Sequence, residues 1–144
     1  MSKEKSQIET GVDFSLVLSI LENVADKTKD AAAGMQELEL VFEAALQRLA
    51  LPINHLNAME LGEIMICQMY PGSVASEAIV SWNRFVNSSN DDRESHDLAR
   101  GVSVFLSALS TTEKSHKLVV AAQMLDRYLI EQNIISDEFT FIPL

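Results

Sequence analysis

Residues 93–109 read RESHDLARGVSVFLSAL. Leu98, Val102, Phe105, Leu106 and Leu109 recur at intervals of three and four, which aligns them on one face of an α-helix. A half-buried strand would alternate at two. Asp91, Asp92, Glu94 and Asp97 gather just ahead of the stripe, where the positive end of a helix dipole favours acids. The stretch predicts a helix over 92–109 that opens on a polar first turn, after the loop NSSNDDRES.

The same period continues on both sides. Toward the N-terminus, YPGS at 70–73 is a break, and Ser73 can cap a helix over 74–87 faced by Ala75, Ala78, Ile79, Trp82, Phe85 and Val86. Trp82 and Phe85 share that stripe and read as core. Asn57, with Glu60 three residues later, opens a helix over 57–70 carrying Leu61, Ile64, Met65 and Met69. Met35, Leu38, Phe42, Ala45, Leu46 and Leu49 mark a helix over 34–50 that Pro52 stops. Phe14, Val17, Leu18, Leu21 and Val24 mark one over 12–29 with Thr10 as its cap; DKTKDAAAG after it reads as a polar turn or a continuous helical joint, and Gly34 favours a break. Toward the C-terminus, S-T-T-E at 110–113 reads as a capping box for a helix over 112–132 with Leu118, Ala121, Ala122, Leu125 and Leu129. The expected fold is an all-α, single-domain bundle of about six amphipathic helices, with consecutive helices antiparallel. Residues 1–10 are expected to be a flexible N-terminus and 11–144 one helical domain that ends in a short apolar tail.

Composition narrows the function. The chain has 144 residues, 47% of them hydrophobic and 22% charged, enough apolar material for one core. Eleven Lys and Arg against 21 Asp and Glu give a net charge of −10. That balance opposes direct binding to nucleic acid or an anionic membrane, since both need clustered cations. No run approaches the 18 apolar residues of a spanning helix, and MSKEKSQIET lacks the apolar centre of a secretory signal. The single cysteine, Cys67, lies in the apolar run EIMICQMY and reads as a small buried hydrophobe. These features lead to the expectation of a cytoplasmic protein.

Four patterns bear on chemistry. The adjacent His96 and Asp97 resemble the metal-binding pair of the HD-type metal-dependent phosphohydrolases, and the resemblance implies further ligands such as His55 and Asp126. In that family the pair closes an apolar helical stretch, whereas here it follows the most polar part of the chain, so the helix start is the preferred reading. Glu113 and His116 have the Glu-x-x-His spacing of di-iron bundles, but such a site needs two copies of it. Cys67 has no histidine near it in sequence, and Glu60 and Glu63 read as a solvated helix face. Neither a phosphate-binding glycine loop nor a dinucleotide turn is present. No catalytic residue and no cofactor is assigned.

Two features point to binding. Met59, Met65 and Met69 suit either irregular core filling or an adaptable groove, with core preferred. The tail FTFIPL places Phe139, Phe141, Ile142 and Leu144 where a chain normally turns polar, so these four are the candidate partner-binding residues. Folding back onto the bundle is the preferred reading of the tail, and contact with another protein or a homodimer partner is the other. The sequence is thus read as a non-enzymatic helical interaction module: an adaptor, a secretion-type chaperone or a regulatory subunit. A metal-dependent hydrolase is the alternative, and an acidic mimic occupying a nucleic-acid-binding partner is a minor one.

Overall fold

A computed structural model describes residues 9–70, 97–112, 115–132 and 134. These residues form five helices and no strand: α1 Phe14–Ala25, α2 Ala31–Arg48, α3 His55–Met69, α4 Asp97–Thr112 and α5 His116–Glu131. The helix expected over 74–87, with Trp82 and Phe85, lies outside the described residues.

The caps differ from those read off the sequence. Asp13, not Thr10, caps α1, its carboxylate accepting from the amides of Ser15 and Leu16. Thr10 instead accepts from Val12 through its hydroxyl, one turn too early. Asn54, not Asn57, caps α3, and Asn57 donates the amide that Asn54 accepts. Ser110 does not open α5. It lies inside α4 and donates to the Ser107 carbonyl, while Thr111 donates to that of Ala108, so these hydroxyls serve the end of α4. Gly34, expected to break the chain, sits within α2, which Asp30 caps through the amide of Ala33.

α1 and α2 end alike. The amides of Lys27 and Thr28 reach back to the carbonyls of Val24 and Asn23, and those of Ala50 and Leu51 to Gln47 and Leu46. Each is a Schellman motif with its C′ residue left-handed: Lys27 has φ 62° and Ala50 φ 58°. Glycine is the usual occupant of that position, and its absence hides both ends from a reading of the sequence.

All five helices contribute to one continuous apolar cluster. α1 gives Val17, Ile20, Leu21 and Val24, and α2 gives Met35, Leu38, Phe42, Ala45 and Leu46. The rings of Phe42 and Phe105 meet edge to face at 6.3 Å and 69°, a geometry that contributes about 0.5–1.5 kcal/mol beyond burial. α4 is the central rod. Every residue from Ala99 to Leu109 is buried, including Arg100, Ser103 and Ser107. A helix free of charge over a long span can be covered on every side, and from Gly101 to Thr112 the sequence has none.

Small residues bring α3 and α4 together. A Cβ on Gly62 would lie 2.8 Å from the Gly101 carbonyl oxygen and 3.3 Å from the Phe105 nitrogen, and one on Gly101 would overlap the backbone of Ala58. Ala58 therefore meets Gly101, and Gly62 meets Phe105. The positions ascend together, so the two helices run in the same direction. α1 and α2 are antiparallel, because Arg48 at the end of α2 reaches Thr10 and Gly11 ahead of α1. α5 runs antiparallel to α1. Lys117 at its start pairs with Asp26, just past the end of α1, at 2.8 Å, while Leu125, midway along α5, meets Gly34 together with Val24 and Ile20, earlier on α1. The Glu131 end of α5 thus lies toward the Phe14 end of α1.

Candidate docking groove

α1 and α2 each carry a second apolar stripe. On α1, Leu16 and Ile20 are four apart and rotated away from the Val17–Leu21–Val24 face, and Val12 precedes them in the lead-in to the helix. On α2, Leu40, Val41 and Ala44 lie beside the core positions Leu38, Phe42 and Ala45. The two stripes face each other across an open groove of about 420 Å³. Ile20 forms its buried floor, and Leu16 and Leu40 stay 47% and 56% exposed on its walls. On facing walls of one groove the two leucines form part of a contiguous apolar patch, the kind of surface that marks an interaction site.

The ends of the groove are charged. At the start of α1, the Arg48 Nε and one terminal guanidinium nitrogen donate to the carbonyls of Thr10 and Gly11, each at 3.1 Å. These bonds hold the lead-in to α1 against α2, and Gly11, with φ 71°, leaves space for the guanidinium. Arg48 also lies in the last turn of α2, where a cation is favoured by the helix dipole. At the far end, Glu37 accepts an ion-paired hydrogen bond from Lys29. From Glu37 to Arg48 the groove follows about three turns of α2, roughly 16 Å. Leu51 and Ile53 of the α2–α3 turn and Leu56 in the first turn of α3, which follow Arg48 in the chain, are exposed as well.

One ionisable group on α2, outside the groove lining, is perturbed. Glu39 follows Leu38 on α2, and burial pushes its carboxyl up from 4.5 to about 6.

The residues singled out from the sequence fare differently. Phe139, Phe141, Ile142 and Leu144 lie outside the described residues, as do His96 and Glu113. Asp97 is the first described residue of α4, His55 is exposed in the first turn of α3, and Asp126 is half-buried on α5. Among the described residues, no three of His, Cys, Asp and Glu converge as a metal site. Cys67 is buried and outside any disulfide. Met65 is fully buried, and Met59 and Met69 pack on the core's margin. The groove was missed because one stripe per helix was counted. The signal was present in the sequence as apolar residues at 12, 16 and 20 and at 40, 41 and 44, off the core period. No helix among the described residues is long and apolar enough to cross a membrane.

Comparison with models of known families, with curated proteins and with solved structures gives no match.

Proposed function

We propose that the protein is a non-enzymatic helical interaction module, in the manner of an adaptor, small chaperone or regulatory subunit, and that it works through the α1–α2 groove. The observation that carries this reading is a pair of leucines, Leu16 and Leu40, held half-exposed on opposite walls of an apolar channel about 420 Å³ in volume. The core does not need them: both helices already bury a separate stripe. Apolar side chains at helical spacing around a groove suit an apolar peptide segment or an amphipathic helix. The net charge of −10 favours protein partners over nucleic acid.

The test is a Leu16→Lys, Leu40→Lys chain. Both positions are well exposed, so helicity and melting temperature should stay close to those of the parent. Proteins that co-purify with the parent from its source cell should fall by about tenfold or more, since a charge forced into an apolar contact costs well over 1.4 kcal/mol. An unchanged set of co-purifying proteins refutes the reading.

A further inference from the structure

The groove has a candidate occupant within the chain itself. We infer that the segment Phe139–Leu144 of the same molecule docks in the α1–α2 groove, so that the module carries its own competitor for the site. The inference rests on the reading of the groove as a docking surface and adds the identity of its resident ligand.

Direction comes first. α5 runs antiparallel to α1, so its final turn lies toward the Phe14 end of α1, the end at which Arg48 closes the groove. The amide of Ile134 returns to the Leu129 carbonyl at 2.9 Å, and the Ile134 side chain packs against the core, which anchors the chain there. Four residues, 135–138, separate this anchor from Phe139. Extended, they reach about 13 Å, enough to pass one helix, which is roughly 10–12 Å across. Length fits next. Six residues in extended form cover about 16–17 Å from first to last at roughly 3.3 Å per step. The groove is about as long.

The tether sets the polarity. Asp137 and Glu138 immediately precede the apolar run. A segment arriving from α5 would bring these two acids to the Arg48 end and carry Phe139, Phe141, Ile142 and Leu144 onward between Leu16 and Leu40. Asp13 lines the same end as Arg48, and Lys29 stands beside Glu37 at the other, so the tether and not the charge of the ends sets this direction. Tethering favours this occupant over a free one: a short linker gives an attached segment an effective concentration in the millimolar range. A foreign partner must therefore displace the segment, which makes the groove a site whose apparent affinity the chain sets for itself.

Cross-linking in the full chain tests this. In a Cys67→Ala background, Leu40→Cys is combined with Thr140→Cys, which keeps all four apolar tail residues. A short bismaleimide should join the two cysteines within one molecule. The reaction should be at least about tenfold faster than in a control carrying Thr28→Cys with Thr140→Cys, given the local concentration involved. Replacing Phe139 and Phe141 by Ser should abolish that advantage. A rate equal to the control's, or a product that is a covalent dimer, overturns the inference. In either case the Leu16→Lys, Leu40→Lys chain still reports separately on the groove: continued loss of bound proteins there would sustain the docking surface and reject only its self-occupation.

Discussion

Replacing Gly101 by alanine should destabilise the protein although it improves the helix. In an exposed helix interior, Gly to Ala gains about 1 kcal/mol. At Gly101 the new methyl would stand 2.5 Å from the Ala58 carbonyl carbon and 2.6 Å from its Cβ, against backbone that has no rotamer to change. α3 and α4 would have to move apart by an appreciable fraction of an ångström along their whole contact. Overpacking of this kind costs about 1–3 kcal/mol, at the upper end where the obstacle is backbone. Separating the helices also loosens the packing around Phe105 and Leu61, both essentially sealed from solvent. The net expectation is a loss of about 2 kcal/mol. With a urea m-value of roughly 1–3 kcal/mol/M, the unfolding midpoint should fall by about 1 M. Circular dichroism followed through urea denaturation reads this directly. Gly62→Ala should lose less, its nearest obstacle being one carbonyl oxygen at 2.8 Å. Gly34→Ala should be nearest neutral, because the atom it meets is the tip of Val24. A Gly101→Ala chain more stable than the parent would refute the close approach of α3 and α4.

Lys27→Gly and Ala50→Gly should each stabilise by up to about 1 kcal/mol, because a left-handed non-glycine costs about 1–2 kcal/mol and glycine's extra unfolded freedom returns only about half of that; equilibrium unfolding of each variant checks this. Asp13→Ala should cost about 0.5–2 kcal/mol as the loss of a true cap, and Thr10→Ala less, a ranking that thermal melts can reverse if Thr10 is the real cap. Glu39 should make stability depend on pH. Its folded pKa of about 6 lies above 4.5, so the fold binds its proton more tightly than the unfolded chain does. That contribution is fully present below pH 4.5 and is lost as pH rises through 6. Glu39→Gln should remove this slope and leave the protein more stable at neutral pH, as melting temperatures measured across the interval will show.

The core was largely legible in the sequence. The stripes of α1, α2, α4 and α5 name buried or core-packed residues because an amphipathic helix records its inner face in its period. The boundaries were less legible. A Schellman end made with Lys27 or Ala50 leaves no glycine to find, while Gly34, the glycine that seemed to mark a break, is there for contact with Val24. Thr10, Asn57 and Ser110 misled in one way: each is a good capping residue a few positions from the real cap, and only backbone geometry selects among neighbours. The all-round burial of α4 was written in the charge-free span from Gly101 onward, which a single stripe does not capture. The groove escaped for the opposite reason, since a second apolar stripe beside the core looks like more of it.

The crossing of α3 and α4 also sets a schedule for folding during synthesis. Gly62 leaves the ribosome about 40 residues before Gly101, an interval of about 2–8 s at roughly 5–20 residues per second. Throughout that time Leu61, Met65 and Ile66 have no α4 to cover them, although α1 and α2 have already been made. The nascent chain therefore presents a sticky, glycine-notched helix for seconds before its counterpart exists. Slowing translation between α3 and α4 should lengthen that exposure and increase recruitment of ribosome-associated chaperones, without changing a single contact of the finished protein.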